Sequence, residues 1–210
     1  MVLSKTGAKW YYSKMIRCST DIQMGFKGKW SENLNLHLEP ITWKQIFLIC
    51  VKTVNDYELI WFQYRILHRI LGTQKLLHQI RISETDKCLL CHACTETLIH
   101  LFCFCPMVAK LWQDLSNWIK EKTNIVIKFD SFRIIMGYLN RDKFFLSINT
   151  LILVTKYYIY ANTRAKRCLN IADIQIKIKK VYNEQNLVAK LNCLENKFEE
   201  KWLSFNKLVT

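Results

Sequence analysis

Cys88, Cys91, His100 and Cys105 stand in the order Cys-x2-Cys-x8-His-x4-Cys, and no other feature of the chain restricts its folding so tightly. Thiolate and imidazole are the donors that tetrahedral zinc prefers. A two-residue gap lets Cys88 and Cys91 bind from one tight turn, and a four-residue gap lets a short helical turn present His100 and Cys105. The eight-residue spacer is long enough to join the halves. Residues 83–120 are therefore expected to form a CCHC zinc knuckle with a following helix. His92, Cys94 and Cys103 lie in the same window and also carry donor atoms.

The rest of the chain must supply a hydrophobic core and a charged surface. With 210 residues, half of them hydrophobic, it can bury a core of one or two domains. A net charge of +14 predicts attraction to polyanions. Residues 1–81 hold 12 basic against 5 acidic side chains, 82–120 hold 3 against 4, and 121–210 hold 16 against 8. The knuckle is thus near neutral, and any grip on phosphate must come from its flanks. Nine cysteines, without an apolar signal region in the first residues, point to an intracellular, reducing compartment, nuclear or cytoplasmic, where clustered thiols bind metal. Cys18, Cys50, Cys168 and Cys193 stand apart from other ligands and read as small buried hydrophobes. His37, His68 and His78 read as surface or satisfied histidines.

Two prolines and five glycines leave little to interrupt helices, so the expected class is all-α. Gly25, Gly28 and Pro40 make residues 1–40 a loop-rich N-terminal segment. The helical segment 41–82 should hold a helix over 41–54 capped by Thr42, another over 56–71 stopped by Gly72, and a short one capped by Thr73. In the second, Leu59, Phe62, Ile66 and Ile70 share one face, and Arg65, His68 and Arg69 another. Pro106 opens a helix to about Lys122 with Val108, Leu111, Trp112, Leu115 and Ile119 inward. The segment 121–210 begins with a short strand or turn at 124–129. Residues 143–163 then form a central helix apolar all round, too interrupted by Asn149 and Lys156 to span a membrane. A last helix starts from a capping box at Asn170 and Asp173 and breaks near Asn183. Its length also allows coiled-coil pairing, though Gln185 and Glu195 interrupt the stripe.

The residues around the ligands carry a resemblance. Thr95-Glu96-Thr97-Leu98-Ile99 precedes His100, and Pro106-Met-Val-Ala-Lys-Leu-Trp112 follows Cys105. Upstream runs Trp61-Phe-Gln-Tyr-Arg65-Ile-Leu-His68-Arg69-Ile-Leu-Gly-Thr73, and downstream Leu151-Ile-Leu-Val-Thr-Lys156-Tyr-Tyr-Ile-Tyr160. Over roughly residues 30 to 207 the chain resembles the zinc-binding segment at the C-terminal end of non-LTR (LINE-type) retrotransposon reverse transcriptases. The resemblance implies Zn2+ on Cys88, Cys91, His100 and Cys105, since these four reproduce the family's C-x2-C…H-x4-C-P order. It implies helical arms flanking an embedded knuckle, and a tail that holds RNA or DNA with little sequence preference.

Candidate phosphate contacts are Arg65, Arg69, Lys75 and Arg81 before the knuckle, Arg164, Lys166 and Arg167 after it, and Lys177, Lys179 and Lys180 beyond. Trp61, Trp112, Trp118 and Trp202 sit at core spacing, so packing is expected over base stacking. Polymerisation in the resembled family uses an Asp-Asp pair in a palm domain. The chain has no such dipeptide and no room for the domain before residue 30, so a non-catalytic fragment is expected. Its partners would be nucleic acid, through the phosphate backbone, and the remainder of a retrotransposon polyprotein. The contending expectation is a zinc-stapled helical scaffold that docks a protein and never touches nucleic acid.

Overall fold

A computed structural model describes residues 25–36, 39–140 and 142–209. They belong to two compact units, Met1–Leu38 and Glu39–Thr210. In the first, α1 spans Gly25–Leu34, a helix where Gly25 and Gly28 lead one to expect a loop. Neither glycine has crowding to relieve, for an added Cβ meets nothing within 4 Å at either. The helix tolerates them at the usual entropic cost. Residues 1–24, with Cys18, and His37 lie outside the described residues.

In the second unit the helices are α2 (Pro40–Thr53), α3 (Tyr57–Leu67), α4 (Gln74–Gln79), α5 (Pro106–Thr123), α6 (Ser131–Met136), α7 (Lys143–Arg164), α8 (Ile171–Leu191) and α9 (Glu195–Trp202). A π-helical turn at His100–Phe104 and a 3-10 turn at Leu203–Leu208 complete the set. The fold is all-α. Among the described residues the only β pairing is an isolated antiparallel bridge between Lys87 and Thr95. Residues 125–130, where a short strand or turn was expected at 124–129, form no strand and are held instead by the Ser116 and Tyr138 side chains on the Ile127 and Lys128 carbonyls. Helix α7 is the centre of the unit and packs against α2, α3, α8 and α9.

Helix starts follow side-chain chemistry, whereas several stops do not follow glycine. Asp56 caps α3 by accepting from the N–H groups of Glu58 and Leu59 at 2.7 and 3.3 Å, and Thr73 caps α4 through Leu76 N–H at 3.3 Å. Pro40 takes the first position of α2, with Glu39 before it, so Thr42 lies inside the helix instead of capping it. Helix α3 ends at Leu67, not at Gly72. Arg69 turns left-handed at φ 59°, and Ile70 N–H reaches back to Arg65 O at 2.9 Å, which closes the helix in the Schellman manner. Arg81 and Lys166 end α4 and α7 in the same way, at φ 61° and 53°. A basic side chain at a helix C-terminus is favoured by the macrodipole, an ordinary structural reason for three of the ten candidate phosphate contacts. Helix α8 runs past Asn183 and stops only where Cys193 turns left-handed at φ 53°. Asn170 caps α8 through Ala172 N–H at 2.9 Å. Asp173 completes no capping box with it, because its carboxylate accepts from Tyr158 Oη at 3.0 Å instead.

Burial sorts the aromatics by helix face. Phe62, Trp112 and Trp202 are enclosed, but Trp61, expected in the core, is 52% exposed because it lies about 100° around α3 from Phe62, on the outward side. Ile70, expected on the inner face of α3, is likewise exposed, since the helix has ended before it. Cys50 is buried, whereas Cys168 and Cys193 are on the surface.

Helix α7 is long and apolar enough to cross a membrane, and 67% of its most apolar stretch is buried inside the protein. Its buried Asn149 and Lys156 are each matched by partners, whereas Thr155 Oγ1 is enclosed without one. Asn149 pairs with both backbone groups of Tyr138, at 2.8 and 2.9 Å. Next to that pair Gly137 sits at φ +85°, where a Cβ would come within 2.9 Å of Asn149 Oδ1. Lys156 is enclosed and donates to Gln63 Oε1 at 2.5 Å and Ile135 O at 3.3 Å.

Burial lowers the Lys156 ammonium to about 7, against the opposing pull of Cys50 and Cys103, and lowers Lys201 to about 7 as well. Between pH 7 and 9 the unfolded chain therefore holds lysine protons that the folded chain has released. Stability is expected to rise with pH across that window. Each lysine contributes a slope of up to about 1.4 kcal/mol per pH unit. Above pH 9 the rise slackens, because burial pushes Cys50 from 9.0 up to about 12 and the folded state then holds that proton, and the trend reverses above 10.5, where the unfolded lysines release theirs. Urea midpoints at pH 7, 8 and 9 under reducing conditions test this. Lys156→Met should remove about one proton's worth of the slope, and an unchanged slope would refute the assignment.

Candidate metal centre

Two local structures bring the four ligands together. The first is a hairpin in which Cys88 N–H donates to Cys94 O and Glu96 N–H to Asp86 O, both at 2.8 Å, around the Lys87–Thr95 bridge. At its tip His92 adopts φ 56° and returns its N–H to Cys88 O at 2.9 Å. That tight turn places the Cys88 and Cys91 sulfurs on one side, and Leu90 N–H points at Cys88 Sγ from 3.4 Å. The second is the π-helical turn, closed by Cys105 N–H on His100 O at 2.8 Å. A bond spanning five residues sets its two ends side by side, so His100 and Cys105 face the same way. Thr97 Oγ1 accepts from His100 N–H at 3.0 Å, and Trp112 Nε1 donates to Phe102 O at 2.8 Å, fastening the turn to α5.

The ligand atoms of Cys88, Cys91, His100 and Cys105 all lie within 4.8 Å of one another. Cys88 Sγ is 4.0 Å from Cys105 Sγ, and Cys91 Sγ is 3.4 Å from His100 Nε2. A tetrahedral zinc with bonds of about 2.3 Å to sulfur separates its sulfurs by about 3.8 Å, and sulfur from nitrogen by slightly less. The group can hold a metal ion of that size. Cys88 and Cys105 are fully enclosed and His100 nearly so, which excludes competing water.

The electrostatics favour anionic sulfur. Cys105 precedes Pro106 at the start of α5, so the free N–H groups and positive end of that helix face it. Its thiol is lowered, first by the hydrogen bond from Cys88 and then, against burial, by the N–H groups of Met107 and Val108. Cys88, as donor in that bond and buried, is pushed up to about 12. Two touching sulfurs cannot both ionise easily unless a cation lies between them.

The other donors in the window are elsewhere. His92 and Cys94 are exposed. Cys103 is not among the converging donors, and burial raises it to about 12.

A residue without an assigned role in the sequence reading holds this hairpin to the rest of the unit. Glu96 is completely buried. One of its carboxylate oxygens accepts from Gln74 N–H at 2.9 Å, at the start of α4. The other accepts from Leu89 N–H in the knuckle at 3.2 Å, and the Arg164 guanidinium, from the end of α7, pairs with the first. The only local sign is an acidic residue just before the apolar Leu98-Ile99-His100 run; its partner stands 68 residues away.

The basic residues are distributed accordingly. Arg164, expected to face phosphate, has its guanidinium committed to Glu96 and placed over the Tyr160 ring. Lys166 and Arg167 beside it are exposed, as are Lys75 and Arg81. Lys75 N–H donates to Glu96 O at 3.3 Å, so the start of α4 and the end of α7 meet at Glu96. Arg65 and Arg69 are half-buried. Lys177 lies 5.9 Å over the Tyr158 ring, Lys180 is 3.7 Å from Glu184, and Lys179 is exposed. Compared with models of known families and with curated proteins, the chain matches none.

Proposed function

We propose that the protein is a non-catalytic zinc-binding module that holds RNA or DNA through its phosphate backbone, in a reducing intracellular compartment. The observation that carries the reading is the closing of Cys88, Cys91, His100 and Cys105 to within 4.8 Å, a three-sulfur, one-nitrogen donor set suited to Zn2+. Zinc here is structural: it staples the hairpin to the start of α5 and offers no open coordination position for chemistry. The net charge of +14, with Lys75, Lys166 and Arg167 exposed around one corner, supports polyanion binding. The motif resemblance to retrotransposon reverse transcriptases favours the same partner and, beyond it, the remainder of such a polyprotein.

Salt titration of binding to a labelled oligonucleotide tests this. Each phosphate contact contributes about −0.7 to the log–log slope on single strands and about −0.9 on duplex DNA. Lys166→Ala with Arg167→Ala should flatten the single-strand slope by up to about 1.4. Arg164 is left intact in that test because of its pairing with Glu96. Absence of binding at low salt rejects the reading. Primer extension with magnesium should give no template-dependent incorporation, and incorporation by clean protein would overturn the non-catalytic assignment.

One observation favours a second reading, a zinc-stapled docking scaffold. Helix α8 leaves Ile176, Leu187 and Leu191 exposed, apolar surface that a protein partner would cover. Binding indifferent to salt would favour it.

A further inference from the structure

Helix α3 has a second organised face. At about 100° per residue, Tyr57, Trp61, Tyr64, Arg65 and His68 fall within one arc of roughly 100°, opposite the buried Leu59, Phe62, Gln63, Ile66 and Leu67. Two of the rings in that arc are already stacked. Trp61 and Tyr64 lie nearly parallel, with centroids 4.9 Å apart and planes 7° from each other. Tyr64 continues to His68 at 4.0 Å, and His68 to Phe47 of α2 at 5.4 Å. Tyr57 is 86% exposed and Trp61 52%, so with one ring face on Tyr64 the indole still presents about half of its surface to solvent.

Scattered exposed aromatics need no explanation, but a row aligned in advance, ending on an open indole, does. Such a row lowers the entropic cost of adding one more flat ring. A cationic side chain stands beside it. Arg65 stands one turn beyond Trp61 on the same face. Two carboxylates lie at the start of the same helix, Asp56 as its cap and Glu58 accepting from Tyr157 Oη, so the platform's attraction for a strand must come from its ring surface and Arg65 and not from a broad positive field. Duplex nucleic acid hides its base faces, whereas a single strand offers them.

We infer that Trp61 and Tyr64 form a stacking platform for an unpaired base of single-stranded RNA or DNA, with Arg65 beside it for an adjoining phosphate. The inference rests on the nucleic-acid reading above and adds the strandedness of the ligand and the residues that sense it. It separates two sources of affinity: phosphates, felt through charge, and bases, felt through Trp61.

The test uses the full zinc-loaded chain and three labelled probes of equal length: oligo(dT), an abasic phosphodiester strand, and a duplex. Oligo(dT) should bind roughly five- to a hundred-fold more tightly than the abasic strand, the range expected for one stacked base. Trp61→Ala should abolish that difference and leave the salt slope unchanged, and Trp61→Phe should restore part of it. Circular dichroism and zinc content should match the parent protein, because Trp61 is not in the core. Independently of any variant, photocrosslinking to a 5-iodouracil strand should place adducts on Trp61 or Tyr64. Salt-dependent binding equal for oligo(dT) and abasic strands, or adducts confined to other regions, overturns the platform and leaves the nucleic-acid reading standing. No binding of any probe at low salt removes both. Self-association that Trp61→Ala abolishes would assign the face to a second copy of the chain and overturn the platform too.

Discussion

Serine in place of Cys88 is expected to remove stoichiometric zinc and to loosen residues 83–105 as a unit, and alanine in place of His100 should do the same. Structural zinc in small domains supplies about 10–16 kcal/mol of apparent binding free energy near neutral pH, nearly all of it available for folding. Here that energy joins a hairpin and a π-helical turn that have little core of their own. Cys94→Ser and Cys103→Ser should retain the metal, since neither belongs to the group whose donor atoms lie within 4.8 Å of one another. Metal analysis of the four purified variants decides it. Zinc kept by Cys88→Ser and lost by Cys94→Ser would refute the ligand set. Hydrogen exchange after chelation should rise through residues 83–105 and the first turn of α5, where Cys105 precedes Pro106. The second half of α5 should stay protected, because Leu115 and Ile119 remain packed in the core.

The next largest effect is expected from Glu96→Ala. The substitution removes at once the acceptor of Gln74 N–H, of Leu89 N–H and of the Arg164 guanidinium. Removing one partner of an enclosed ion pair costs about 3–5 kcal/mol, because the remaining charge and donors are left without compensation. A drop of that size should be visible in urea midpoints. Lys166→Ala, two residues beyond Arg164 and exposed, should stay within about 0.5 kcal/mol of the parent. Combining Glu96→Leu with Arg164→Met should recover part of the loss, since neither charge is then stranded. Equal midpoints for Glu96→Ala and the parent would show that the clamp contributes nothing.

Local chemistry accounts for what was legible without coordinates. Helix α5 was readable with its full inward set, Val108, Leu111, Trp112, Leu115 and Ile119, because a proline start and an uninterrupted helical period act over neighbouring residues. The convergence of Cys88, Cys91, His100 and Cys105 into a group that could hold a metal ion was readable for the same reason, its spacings being short enough for two turns to satisfy. The all-α class followed from the scarcity of breakers. Where local rules were in competition they misled. Gly72 was a plausible stop, yet α3 ended at Leu67 with Arg69 left-handed, because the chain had to turn there to bring α4 back toward Glu96. Asn183 was a plausible break, yet α8 continued, because packing against α7 and α9 outweighs one weak helix former.

By itself, then, the sequence determined the helical class, the four candidate metal ligands and the strong positive charge, each a matter of composition or of residues close together along the chain. Only the tertiary structure decided which of two adjacent aromatics, Trp61 or Phe62, entered the core, since a single residue step turns a side chain about 100° around the helix. It alone enclosed Lys156 beside Gln63 and Ile135, and it alone took Arg164 out of the candidate phosphate surface by pairing it with Glu96. These outcomes join residues from 21 to 93 positions apart. Their partners are chosen by the packing of α7 against the other helices, and no spacing rule along the chain contains that information.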